Sequence, residues 1–200
     1  MPETPVIGWG KKGVRAVTRI GVDVTFLEMD SPPRDEPRPF PEGFWLSRLP
    51  FMDVDWYLAL YRAVGAPYCW WMRFELPRDE LQRFLNDPLV ELHVLRAPDG
   101  KLAGFFELDR TRPRTPYLSH MGLVDGFIGK GLGRALLDAA IRRAWSEPCD
   151  RLRVNTCTAD HPRALDVYVR AGFKPVRVVR ETWDIPDDLG IAVPERLKIS

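Results

Sequence analysis

The sequence predicts an α/β chain in which helices flank a mixed sheet, and three observations lead there. Apolar residues alternate in some short segments and recur at three and four in others, so strands and helices interleave along the 200 residues. Val90 to Arg96 and Leu102 to Asp109 flank Pro98-Asp99-Gly100-Lys101, an Asp-Gly turn between two extended patterns, which makes an antiparallel hairpin. Pro116 to Val124 reads as a strand, followed by a glycine turn, an amphipathic helix and a further strand, Arg151 to Thr158. Strand, helix and strand in succession lie parallel through a right-handed crossover.

The elements follow in order. Val14 to Glu28 alternates around Ile20-Gly21, which predicts a small hairpin that need not belong to the main core. Ser31 to Pro41 carries five prolines among charges and reads as a connecting loop. The expected division is therefore 1–43, an N-terminal hairpin and proline-rich loop packed on the core, and 44–200, the main domain. Phe44 to Leu49 is the first core strand. Val54 to Val64 spaces Trp56, Leu60 and Val64 four apart, as a helix with one buried face does, and Gly65 and Pro67 end it. Pro77-Arg78-Asp79-Glu80 opens a second short helix, with Leu81, Phe84 and Leu85 on its apolar side and Asp87-Pro88 as its stop. After the hairpin and the Pro116 to Val124 strand, a helix from about Gly131 to Ser146 places Leu132, Leu136, Ala139, Ala140 and Ile141 on one face. His161 to Ala171 is the last major helix, with Gly172 at its C-cap, Val176 to Trp183 is the final strand, and the tail from Pro186 is peripheral.

Composition excludes some functions. The formal net charge is +1, so no global field draws the chain to nucleic acid or to an anionic membrane. Met1 to Gly10 lacks the apolar core of a signal peptide and no apolar run is long enough to span a bilayer, so a cytoplasmic location is expected by default. Cys69, Cys149 and Cys157 form no paired spacing and no metal-ligand pattern with His93, His120 or His161; free thiols and no metal are expected.

The most informative segment is Gly129-Lys130-Gly131-Leu132-Gly133-Arg134, between a strand and a helix. Glycines let backbone approach an anion, and the first free N–H groups of the helix, with the positive end of its dipole, point at that anion. A pyrophosphate-bearing cofactor is expected. Gly133 is followed by Arg134 and Ala135 where a nucleoside-triphosphate loop needs Lys and Ser or Thr, and the glycine spacing misses the dinucleotide fingerprint. The segment Ile128 to Gly133 does resemble the acetyl-coenzyme A loop of the GCN5-related N-acetyltransferase (GNAT) family: Arg or Gln, two residues, Gly, one residue, Gly or Ala. Ile128 stands where Arg or Gln is usual. A second block, Ala164 to Phe173, is similar to the family's closing helix, ending in Tyr168, three residues, Gly172 and Phe173, with His161 in place of the usual Asn. The resemblance covers roughly Trp45 to Trp183 and is strongest from Leu118 to Phe173.

This resemblance implies an α+β fold with a mixed, mostly antiparallel central sheet and two parallel strands splayed at the cofactor site. It implies acetyl-coenzyme A as cosubstrate. The pantetheine arm would pair with the strand end at Gly122, Leu123 and Val124. Gly129, Lys130, Gly131, Gly133 and Arg134 would hold the pyrophosphate, the side chains of Lys130 and Arg134 either adding charge or facing solvent. A backbone N–H near Leu123 is the family-like oxyanion donor. Tyr168 matches the usual general acid, a phenol still protonated at neutral pH. An alkylamine must shed a proton across about three pH units, roughly 4 kcal/mol, so a base is needed as well. Tyr117 stands where relatives place a Glu. Glu107, in an apolar strand that would raise its pKa, is the first candidate base, and a strand-edge charge or a partner of Arg110 or Arg112 is the competing reading. His120 is second, since strand alternation places it on the face opposite Tyr117 and Ser119. Tyr68, Trp70 and Trp71, with Tyr117, are the expected acceptor wall, although a Trp pair also suits a core. The implied function is acetyl transfer to a primary amine of a small molecule or peptide, directly and in a ternary complex; the rival is a non-catalytic acyl-coenzyme A binding or regulatory domain. A homodimer through a terminal strand is expected on family likeness only.

Overall fold

In the computed structural model, which describes residues 15–199, seven strands form one sheet. They are β1 (Val17–Met29), β2 (Trp45–Leu49), β3 (Val90–Arg96), β4 (Leu102–Asp109), β5 (Tyr117–Leu123), β6 (Leu152–Cys157) and β7 (Lys174–Pro186). Their spatial order is β2-β3-β4-β5-β6-β1-β7. The helices are α1 (Val54–Gly65), α2 (Arg78–Leu85), α3 (Leu132–Trp145) and α4 (Ala164–Arg170). Every neighbouring pair is antiparallel except β5 and β6, which meet in parallel through Tyr117 opposite Arg153 and Leu118 opposite Val154 alone. Beyond Leu118 the two strands part, and Ser119 to Leu123 keep β4 as a partner on one side only.

The strands alternate between two packed sides, and this decides where the site lies. Phe106, Leu108, Leu118 and Val154 face α3 and α4, whose Leu136, Ile141 and Tyr168 complete one core. Leu92, Val94 and Phe105 face the other way, onto Tyr57, Leu60 and Val64 of α1 and Leu81 of α2. The buried residues of α1 include Tyr57 and Tyr61, whereas Trp56 is exposed, so the helix turns its face one position on from the expected Trp56-Leu60-Val64 row. The two tyrosines carry more apolar area into the sheet than one tryptophan held outside it. Asp53 caps this helix, its carboxylate accepting from the N–H groups of Asp55 and Trp56 at 2.9 and 3.0 Å.

The N-terminal expectation needs correction. Ile20-Gly21 does not turn: residues 17–29 are one strand, inserted between β6 and β7. A two-residue hairpin needs left-handed backbone at its centre, which a β-branched Ile resists, and Gly21 does not have positive φ. A mid-strand glycine satisfies the same local pattern. Leu27 and Met29 of this strand are part of the core on the α3 side, so the sheet runs across the 43/44 division. Val14 and the Met1 to Gly10 segment lie outside the described residues. The tail is also less peripheral than expected: Leu197 is buried, and Ile20 bridges Lys198.

Candidate active site

The glycine turn and the parting strands open into one cavity of about 780 Å³. At one end, Gly129 and Gly131 take φ of +82° and +79°, a backbone that L side chains avoid. No atom lies within 4 Å of where a Cβ would sit on either, so the loop faces open space. Gly131 is the N-cap of α3 and offers no side-chain acceptor to the first-turn N–H groups. Those donors are thus left for an anion, with the helix dipole behind them. Gly133, Arg134, Gly122 and Leu123 also line the cavity, as the cradle reading expects. Two expected members do not. Val124 turns away, its N–H donating to the Ala103 carbonyl at 2.9 Å, and Lys130 holds its ammonium 5.3 Å from the Phe127 ring.

Tyr168, on α4, also lines the cavity. Its ring packs edge-on against Phe173, 5.7 Å between centroids, and the side chain is almost wholly buried. Despite this burial, Tyr168 is one of the residues on the cavity wall. Burial, then the charge of Asp160 and the neighbouring Tyr117, push its pKa up, so the phenol stays protonated at neutral pH.

Part of the cavity wall is aromatic. Tyr68, Trp70 and Trp71, all expected there, are joined by Tyr61 and Trp183. Trp70 is oriented by its indole N–H, which donates to Asp160 at 3.4 Å; the other Asp160 oxygen accepts from the Thr156 hydroxyl and the Cys157 N–H at 2.7 and 2.8 Å. Tyr117, in contrast, borders a separate hollow of about 220 Å³ beside Arg112 and Arg153, not the main cavity. Cys69 and Cys157 line the cavity, a placement that their sequence spacing did not suggest. Burial and the Asp160 carboxylate push the Cys157 thiol up to about 12, and burial raises Cys69 as well, so neither is a ready nucleophile at neutral pH.

Glu107 differs most from expectation. It is fully buried and outside the cavity wall. Its carboxylate accepts from the Tyr57 hydroxyl and from Arg73, each at 2.6 Å, and lies 3.3 Å from Nδ1 of His120. Burial alone would raise its pKa, but the Arg73 charge, His120 and the Tyr57 hydrogen bond outweigh it and hold the carboxyl at about 2. Its pKa is thus lowered, which corrects the expectation that the apolar strand would raise it.

The same geometry revises His120. β4 and β5 slip register between Glu107 and Leu108, where His120 and Leu118 are the partners and Ser119 is the extra residue. One inserted residue reverses the alternation downstream of it. Tyr117 opposes Asp109 and His120 opposes Glu107, so Tyr117 and His120 share a face despite their odd spacing. His120 consequently stands on the α1 side, on the cavity wall, with the rings of Tyr61 and Trp70 each 5.0 Å away. Only the pairing with β4 reveals this, and no local pattern in the strand announces it.

Among the described residues no group of three or more His, Cys, Asp or Glu is arranged to hold a metal ion, and no helix is long and apolar enough to cross a membrane. Comparison with known proteins agrees with the geometry. The chain is 32% identical over 173 residues to a mycothiol acetyltransferase of Propionibacterium freudenreichii subsp. shermanii, covering 82% of this chain and 53% of that protein. It is 30% identical over 119 residues to one of Salinispora arenicola, covering 56% of this chain and 34% of that protein. The chain thus spans about half or less of the curated relatives it matches. Its fold is like that of a GCN5-related N-acetyltransferase from Sphaerobacter thermophilus, with a TM-score of 0.57 and 19% identity over 86% of this chain and 54% of the other. The model of the Acetyltransferase (GNAT) family matches residues 54–173, more than half the chain. With the glycine cradle and parted strands inside that span, the chain belongs to the acetyltransferase (GNAT) family.

Proposed function

We propose that the chain is an acetyl-coenzyme A-dependent N-acetyltransferase that acetylates a primary amine of a small molecule or peptide directly, in a ternary complex. The observation that carries this reading is a single cavity whose wall combines an uncapped glycine cradle, a set of aromatic side chains and Tyr168. The main-chain N–H groups of Gly129 to Gly133 hold the pyrophosphate, and the free edge of β5 from Ser119 to Leu123 pairs with the amides of the pantetheine arm. Tyr168 gives its proton to the departing sulfur. Trp70, Trp71 and Trp183 hold the amine by stacking and cation–π contact. Direct transfer is supported by the raised thiols of Cys69 and Cys157, which disfavour an acyl-enzyme. The named activity of the mycothiol acetyltransferase relatives supports acetyl transfer by this shared region.

Thermal denaturation with acetyl-coenzyme A, and with NAD and ATP as controls, tests the cradle. A rise in Tm with the acyl coenzyme alone is the expected result. A larger rise with NAD, or none with acetyl-coenzyme A at saturating concentration, would overturn the reading.

A further inference from the structure

We infer that His120 is the base that deprotonates the acceptor amine, and that Glu107 is a positioning residue that sets the tautomer of its ring. This rests on the transferase reading above and assigns a role that it leaves open. Four facts support it. His120 is on the cavity wall, whereas Glu107 is not. Nδ1 lies 3.3 Å from an oxygen of Glu107. That carboxylate is ionised and can only accept, so the proton on the ring sits on Nδ1 and the lone pair on Nε2. Nδ1 is the nitrogen turned to Glu107, so Nε2 is the one this lining residue has left to offer the cavity.

The groups packed round the imidazole come from three elements and the loop between them. Glu107 of β4 faces it with a negative charge, and Arg73, in the short turn Met72–Glu75, places a positive charge 2.6 Å from the same carboxylate oxygen. Tyr61 of α1 and Trp70 pack on the ring, and Tyr57 of α1 donates to the other Glu107 oxygen. Arg73 and Tyr57 keep Glu107 ionised and fixed, so Glu107 orients the ring without taking its proton. In the reaction, Nε2 accepts a proton from the substrate ammonium and becomes imidazolium, which releases that proton to solvent through the cavity mouth. The freed nitrogen forms a bond to the thioester carbonyl carbon. The C–S bond breaks, its electron pair leaves on sulfur, and Tyr168 protonates that sulfur. The second proton lost from nitrogen restores the phenol. One ammonium, one thioester and no further reagent give one amide, one thiol and one proton.

The test uses the full chain with benzylamine, putrescine and glycine amide as probe acceptors, following release of coenzyme A thiol. For any probe acetylated by the wild-type protein, His120→Gln should keep the Tm rise with acetyl-coenzyme A, lower kcat at pH 7 by at least about 10²-fold, and remove the acid limb of kcat/KM. A kcat within threefold of wild type, or an unchanged acid limb, overturns the assignment. Ring ¹⁵N chemical shifts read the tautomer independently of turnover. The wild-type protein should show His120 protonated on Nδ1, and Glu107→Gln should move the acid limb and populate the other tautomer. If that variant does not fold, the wild-type spectrum decides, and a ring protonated on Nε2 overturns the role of Glu107. Absence of a Tm shift with acetyl-coenzyme A in the wild-type protein would instead refute the transferase reading, and the ring spectrum would still test the pairing.

Discussion

Two buried carboxylates on neighbouring strands have nearly the same partners and sit on opposite sides of the sheet. Glu91 of β3 accepts from Arg110 at 2.8 Å, from Arg143 at 2.6 and 2.7 Å, and lies 2.9 Å from Nε2 of His93. Glu107 of β4 has Arg73, Tyr57 and His120. Both are fully enclosed, and in both cases burial pushes the pKa up while the neighbouring donors pull it further down, to about 2. The difference lies in what each histidine meets next. His93 lies flat on Phe106, 4.5 Å between centroids, and its cluster ties the end of α3 to the sheet, since Arg110 also donates to the Ala144 carbonyl at 3.3 Å. His120 meets a cavity. An oriented imidazole thus becomes a candidate for proton transfer only where open space adjoins it; elsewhere the same groups serve as a fastening.

This contrast can be broken by experiment, the cavity side reading out in turnover and the helix side in stability. The largest effect is expected at the cavity. Tyr168→Phe should lower kcat about 10²- to 10⁴-fold and leave the Tm shift with acetyl-coenzyme A in place; steady-state kinetics on an accepted amine would show the idea wrong if kcat held. On the other side, Glu91→Gln leaves two arginines without their shared carboxylate and should cost about 3 kcal/mol in denaturant unfolding. The midpoint of the acid limb of kcat/KM should not move, and a shift there would erase the distinction between the clusters. Acid unfolding sharpens the point. Each carboxyl has a folded pKa of about 2 against an ordinary 4.5, so its contribution is complete above pH 4.5 and drains away as the pH falls toward 2. Circular dichroism across that window should record the loss, and it should be shallower in Glu91→Gln. The smallest effect belongs to the loop: Gly131→Ala places a side chain at φ +79° and should cost about 1 kcal/mol, with a few-fold rise in KM for acetyl-coenzyme A and no change in the acid limb.

Much of this arrangement is legible in the sequence where the deciding contacts are local. The β3–β4 hairpin follows from Asp99-Gly100, the cradle from Gly129 and Gly131 ahead of an apolar helix face, and the place of Tyr168 from its spacing to Gly172 and Phe173. Three of the misreadings share one cause, since each turns on a partner contributed by another element. Glu107 looks like a carboxyl in an apolar strand until Arg73 and Tyr57 arrive from other elements. The face of His120 depends on a register slip against β4. Ile20-Gly21 looks like a turn until β6 and β7 flank it. Trp71 and Trp183 reach one cavity from distant parts of the chain, which no spacing rule connects.

The insertion of β1 between β6 and β7 has a consequence for how the protein is made. Val24 is synthesised long before Cys157 and Val179, the residues that will flank it. At ~5–20 residues per second, the strand waits on the order of ten seconds outside the ribosome with both edges unpaired. Its apolar row, Ile20, Val22 and Val24, is then available to any other chain within reach. When β6 and β7 do emerge, they are joined through that early strand, so the sheet closes last along the pairings of longest sequence separation, which are intrinsically slow to form. Yield in the cell should therefore respond to translation rate and to chaperones that shield extended segments, and substitutions in β1 should register in solubility before they register in any property of the finished fold.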